Sequence, residues 1–276
     1  MRFCKEYQID QGIRGFKLGW SFAGPPLMTV YCYFFGHIMI DTGQSHMKNE
    51  VVSIAIANGV ESIFLTHHHE DHSGNAAAIH SSLGASVYGH SLSREKLKSS
   101  YPILPYQKYV WGKTTPVKID PFPEKIETTL GTMVPIHTPG HSKDHTLFLL
   151  PDKGILFSGD LYLADRIKFF RSDENLGEQI DSLKKVTKLN FDLLLCAHNP
   201  KLKNGREHLC LKLGFLENFY GEIVDLWVKG WSAKHIFDFL KLKESYFIKY
   251  FCCGNVSMLN GVKSAIRHYE TYQQHN

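Results

Sequence analysis

Apolar positions in the first two hundred residues fall into short runs separated by helical stripes. From Leu27 to Ile40 the β-rich run LMTVYCYFFGHIMI is interrupted near Gly36 and ends in IDTG, which predicts two adjacent strands followed by a turn. A helical stretch at 48–58 precedes a short buried strand, SIFLT, at 62–66. SGNAAAIHSSLG then reads as a helix with Ser73 as candidate N-cap and Gly84 as its stop, and ASVYGH at 85–90 as another strand. Residues 101–123, YPILPYQKYVWGKTTPVKIDPFP, are rich in proline and aromatics without a helical period. They read as a long surface excursion of the kind that covers a binding site.

Between 132 and 160 the segments TMVPIHTPGH, HTLFLLP and GILFSGD predict three strands separated by turns. NLGEQIDSLKKVTKL predicts a helix, and FDLLLCAH at 191–198 a buried strand. Beyond Gly205 the pattern changes to three helical segments, REHLCLKLGFLENFYGEIVDLWVKG, WSAKHIFDFLKL and VSMLNGVKSAIRHYETY. The expected division is therefore an α/β domain over 1–204 and a helical subdomain over 205–276. Two successive β-rich portions suggest helices covering two sheets. The stripe Phe215, Phe219, Ile223 and Leu226 is the face of the tail that docks on the main domain or on a second copy in a homodimer.

Composition narrows the classes. At 276 residues and 43% hydrophobic the chain can bury a sizeable core. The start, MRFCKEYQID, lacks the apolar region of a secretory signal, and the greasiest run is too short to span a bilayer and contains His37. The six cysteines show no C-x-x-C spacing, so neither a cysteine zinc site nor a disulfide framework is indicated, and a reducing cytoplasm is expected. A net charge of +4 admits an anionic small substrate but falls short of a nucleic-acid-binding composition. The sixteen histidines say more, because many sit in short motifs.

The densest is THHHEDHSG at 66–74, immediately after a strand. In an extended segment His67 and His69 point the same way, while His68 and Glu70 lie on the other phase. Imidazole suits zinc and iron, and mixed imidazole and carboxylate ligation holds two such ions close together. One segment cannot close two coordination shells. Further donors stand at other strand ends: His141 in HTPGHS, Asp160 in LFSGD and His198 in LLLCAH.

With these residues in place the sequence resembles the metallo-β-lactamase superfamily. Its H-x-H-x-D-H motif is matched by His67 to His72, and the later T-P-G-H, S-G-D and strand-end histidine follow in order over residues 25–200. The resemblance implies a four-layer αββα sandwich with a C-terminal helical appendage. It implies that His67, His69 and His141 hold one metal, that Asp71, His72 and His198 hold a second, and that Asp160 bridges them. The pattern looks most like the glyoxalase II group and related small thioesterases, which use two divalent ions, zinc first, sometimes iron or manganese. After SGD, however, the chain reads LYLADRIKFF in place of that group's glycine-rich continuation, and its glutathione-binding residues find no match.

Two cations about 3.5–4 Å apart can share a water and lower its pKa from about 15.7 towards neutrality. Asp71 or Asp160 would orient that nucleophile. A thiolate leaves with little need for an added proton, which favours a small acyl thioester as substrate. Lactone or β-lactam opening fits the same site. A persulfide dioxygenase using one iron is a second class, and the flavodiiron pattern, with glutamate in place of His69, does not match. A metallo-nuclease is disfavoured by the short, modestly charged tail.

Around the site, Asp41 in IDTG is either a support beneath the metals or a simple turn aspartate, and His145 either a structural or a catalytic residue. Arg166, Lys168, Arg171, Lys201, Lys203 and Arg206 are either contacts for an anionic substrate tail or solvated surface. Tyr101, Tyr106, Tyr109 and Trp111 line a pocket or form a local cluster.

Overall fold

The computed structural model describes residues 1–10 and 12–275. Its first sheet holds β1 (Arg2–Gln8), β2 (Arg14–Trp20), β3 (Thr29–Phe35), β4 (Ile38–Ile40), β5 (Ser62–Phe64) and β6 (Ser86–Tyr88), side by side in that order. Pairing is antiparallel through β4 and parallel from β4 to β6. The parallel crossovers carry α1 (Lys48–Ala57) and then α2 (Glu70–Ser73) with α3 (Ala76–Leu83). The excursion before the second sheet includes α4 (Arg94–Lys98) and α5 (Pro105–Val110).

In the second sheet, β7 (Ile126–Thr128), β8 (Gly131–His137), β9 (Thr146–Leu150) and β10 (Ile155–Gly159) run antiparallel. The strand β12 (Leu193–Cys196) adds parallel to β10 across α6 (Leu176–Val186). A small ribbon, β11 (Phe170–Arg171) with β13 (Val256–Ser257), ties the tail back to the body. The tail itself is α7 (Gly205–Trp227), α8 (Ala233–Phe239), α9 (Tyr246–Phe251) and α10 (Met258–His275).

Alternation along β3 shows how the layers assemble. Tyr31, Tyr33 and Phe35 share a core with Phe148, Leu150, Ile155 and Phe157 of the other sheet. Val30, Cys32 and Phe34 turn the opposite way, into a core with Val51 and Ala55 of α1 and Ile79 of α3. Both faces of the strand are buried, so its sequence is apolar without a break. The far face of the second sheet, through Leu147, Leu149, Leu156 and Leu194, meets α6, α7 and α10 in a third core. The layers are therefore α, β, β, α. The tail's stripe docks within its own chain: Phe219, Ile223 and Leu226 are buried with Leu176, Ile180 and Phe170, and Phe215 stacks on Phe219.

Several elements differ from the sequence expectation. The hairpin of β1 and β2 was not visible in the pattern because β1 is exposed along almost its whole length and β2 is broken by Gly15 and Gly19. Ser73 ends α2 and donates to the carbonyls of His68 and His69, while Asn75 takes the position before α3. Gly84 stops α3 with a φ of 69°, as its lack of a Cβ allows. The 101–123 excursion is more than surface: it carries α5, buries Tyr106, Val110 and Trp111, and sends Val117 and Ile119 into the core beside α3. Among the described residues the tail has four helices rather than three, the extra one being the six-residue α9.

Phe157 lies at the centre of the sandwich, fully buried, with its ring stacked on Phe35 at 5.4 Å and tilted against Tyr33 at 5.6 Å. Phe157→Ala is expected to lower the free energy of unfolding by about 3–5 kcal/mol, read from urea denaturation. A loss below about 1 kcal/mol would contradict this placement of the core.

Candidate metal centre

The site grows from strand ends. Ligand candidates follow β5 (His67, His69, Asp71, His72), β10 (Asp160) and β12 (His198), and His141 stands in the turn between β8 and β9. All but His198 are buried, and the His198 side chain, 14% exposed, marks the open side. The seven residues form two separate donor sets and a third group that links them. His67, His69 and His141 bring ligand atoms within 4.8 Å of one another, as do Asp71, His72 and His198, and Asp160 joins His67 and His72.

The distances have the scale of a coordination shell. His67 Nε2 and His141 Nε2 lie 2.8 and 3.1 Å from His69 Nδ1. Asp71 Oδ2 is 3.6 Å from His72 Nε2 and 3.4 Å from His198 Nε2. Asp160 divides its oxygens: Oδ1 is 3.4 Å from His72 Nε2 and 3.5 Å from His198 Nε2, and Oδ2 is 3.4 Å from His141 Nε2. Tetrahedral donors at about 2.0–2.1 Å from zinc stand about 3.3–3.4 Å apart, so the spacing fits such ions.

Outer partners decide which nitrogen faces inward. His72 Nδ1–H donates to Asp41 Oδ2 at 2.7 Å, His141 Nδ1–H to Glu174 Oε1 at 2.8 Å, and His198 Nδ1–H to the Thr29 carbonyl at 2.8 Å. Each ring in its neutral form therefore turns the Nε2 lone pair into the site. Within the site His69 Nε2, His72 Nε2 and Asp160 Oδ1 are among the buried polar atoms of the described residues that have no hydrogen-bond partner. Bare inward donors such as the last two are costly in an apolar interior and fit a bound cation.

Electrostatics divides the same way. Burial, reinforced by neighbouring imidazoles, pushes the His67 ring well below its ordinary pKa, and burial with Arg171 nearby does so for His69. In His72 burial is outweighed by Asp41, Asp71 and Asp160, so its pKa is raised well above the ordinary value. In His198 burial is outweighed by Asp160 and Asp71, which push it up to about 10. Carboxylates that draw protons onto imidazoles in this way also favour their exchange for a metal ion.

Asp41 is a support and more than a turn residue. With φ at 56°, it accepts from Thr66 N at 2.7 Å, Thr66 Oγ1 at 2.8 Å and His72 Nδ1–H. His145 is structural: its Nε2 accepts from Asp160 N at 3.1 Å and its Nδ1–H donates to Thr138 Oγ1 at 2.8 Å. Burial and the nearby His141 push it down to about 3, so it stays neutral. Gly159 makes room, since a Cβ there would lie 2.7 Å from His145 Nε2. The fully buried Lys212 donates to the Leu161 carbonyl at 2.6 Å and so holds the segment after Asp160.

Trp111 approaches His198 with ring centroids 6.1 Å apart, while Tyr106 and Tyr109 pack on Phe251 and Tyr101 meets His68. The aromatic set thus reaches from the site's edge to α9. Two of the basic side chains have hydrogen-bond partners within the protein, Arg171 forking onto Asp173 and Arg206 donating to the Thr187 carbonyl, and the Lys201 ammonium lies 6.0 Å from the centroid of the Tyr162 ring. Glu174, Thr66, Asp144 and Lys212 drew no notice in the sequence. Only Asp144, between two histidines in HSKDH, carried a signal there.

The chain is thus an α/β protein, a four-layer sandwich whose strand ends carry a histidine and aspartate cluster suited to metal ligation. The family model described as "Metallo-beta-lactamase superfamily" matches residues 26–198, and the chain belongs to that superfamily. It is 30% identical over 171 residues to the lactamase-like protein adaB of Aspergillus niger, covering 60% of this chain and 47% of that one. To the atrochrysone carboxyl ACP thioesterase of Aspergillus fumigatus it is 25% identical over 171 residues, covering 60% and 48%. The chain thus spans about half the length of these curated relatives. The metallo-β-lactamase of Erythrobacter litoralis shares the fold, with a TM-score of 0.59 at 18% identity over 79% of this chain and 99% of that one.

Asp41→Ala strips the acceptor from three buried donors. Its expected effect is about 10–100-fold weaker metal binding, measured by chelator competition, together with a lower melting temperature. Parental affinity in this variant would contradict the support role.

Proposed function

We propose that the protein is a two-cation hydrolase of small acyl substrates, with a thioester the first choice. The observation that carries the reading is Asp160, whose two oxygens face two separate donor sets. His67, His69 and His141 would hold one ion, Asp71, His72 and His198 the other, and Asp160 both. Zinc suits this mixture of imidazole and carboxylate, with iron or manganese as alternatives. Two bound cations supply a water-derived nucleophile at neutral pH and polarise an acyl carbonyl.

The chain's own residues would do the rest. Asp71 and Asp160 orient the attacking water, and a carboxylate oxygen accepts its proton. Burial on every side except that of His198 excludes bulk water and directs substrate past Trp111. No buried side chain is required to protonate a departing thiolate, whereas an amide nitrogen needs a proton. The superfamily consists generally of hydrolases, and a thioesterase stands among the relatives. Both support the reading. Substrate would be a small acyl compound, and nothing in the site calls for nucleic acid.

Protein stripped with a chelator and reloaded in parallel with zinc and with ferrous iron should be assayed against acyl thioesters, lactones, β-lactams and single-stranded RNA, and the iron-loaded protein also against glutathione persulfide under oxygen. Fastest turnover is expected on a thioester. Asp160→Asn is expected to lower kcat/KM by about 100-fold or more. Preference for another member of the panel reassigns the substrate, and an unaffected Asp160→Asn contradicts the two-cation mechanism.

A further inference from the structure

The H-x-H-x-D-H alternation leaves His68 and Glu70 out of both donor sets, yet both are buried. His68 is among the most extensively bonded residues near the site. Its backbone N–H donates to Asp144 Oδ2 and its Nδ1–H to Asp144 Oδ1, each at 2.8 Å. On its other side Lys96 Nζ donates to His68 Nε2 at 2.8 Å, and the His68 carbonyl accepts from Tyr101 Oη at 3.0 Å. Glu70 Oε2 accepts from Gln107 Nε2 at 3.2 Å.

The placement of these bonds matters more than their number. His68 sits between His67 and His69, and Asp144 lies three residues beyond His141. Two bonds from one residue to one carboxylate fix orientation as well as distance. The fork therefore joins the two loops that must bring His69 Nδ1 and His141 Nε2 to 3.1 Å. His72, by contrast, takes its position from Asp41, and His198 from Thr29. Lys96, Tyr101 and Gln107 all belong to the segment that ends in Trp111 beside His198.

We propose that His68 is a positioning residue. Clasped to Asp144, it sets the three-histidine half of the site, and with Glu70 it docks residues 94–111 beside that site. The inference rests on the reading that the site holds two cations.

The test is a Zn²⁺ titration of metal-free protein against a chromogenic chelator, with limited proteolysis alongside. His68→Leu is expected to weaken one ion by about tenfold or more while the other stays within about threefold. His68→Asn, which keeps an N–H donor near Nδ1, is expected to restore the weakened ion. Lys96→Met is expected to leave both affinities in place and to speed cleavage within 94–111. Should His68→Leu fail to fold, Asp144→Asn takes its place with the same selective loss expected. Equal weakening of both ions, no rescue by His68→Asn, or unchanged cleavage in Lys96→Met overturns the proposal. If the wild-type protein binds fewer than two ions, the two-cation reading fails, and the cleavage comparison still decides the docking role.

Discussion

One buried carboxylate ties the sandwich to its site. Asp41 follows β4 and accepts from the backbone and hydroxyl of Thr66, which follows β5, and from the ring of His72 beyond it. Two neighbouring parallel strands and a ligand are thus locked by three hydrogen bonds in a place water does not reach. The positive φ at Asp41 is strained for a residue with a side chain and persists because these bonds over-determine it. Removing the carboxylate would leave three buried donors unpaired, a larger cost than the bonds' net contribution when formed.

The other inward-facing groups repeat this logic from different directions. Glu174 orients His141, the Thr29 carbonyl at the start of β3 orients His198, and neutral His145 holds the backbone of Asp160. Each device is an ordinary hydrogen bond, but together they aim several lone pairs at one small volume. Such an arrangement is unfavourable when empty and favourable around cations, which couples the stability of the strand ends to metal binding. The helical tail joins in through Lys212, whose ammonium reaches across the third core to the carbonyl next to Asp160.

The candidate ligands were legible in the sequence because their chemistry is concentrated in short motifs at the ends of apolar runs. β3, β9, β10 and β12 were legible because burial leaves them almost wholly apolar. The supports were legible only in part: Asp41 and His145 stood out as candidates because they sit in or beside the ligand motifs, and Glu174 did not. Glu174 lies 33 positions from the ring it orients, and nothing in SDEN marks one acid over another. β1 and α9 escaped because they bury little, so no period of two or 3.6 is imposed on them. His68 was legible as a residue but not as a part, since alternation says which way a side chain points and not what waits there.

The most direct measurement is anomalous diffraction at the zinc edge from crystals grown with zinc. Two peaks are predicted, one among His67, His69 and His141 and one among Asp71, His72 and His198, with Asp160 touching both. A single peak, or none within reach of Asp160, would contradict the two-cation site on which the proposed chemistry depends.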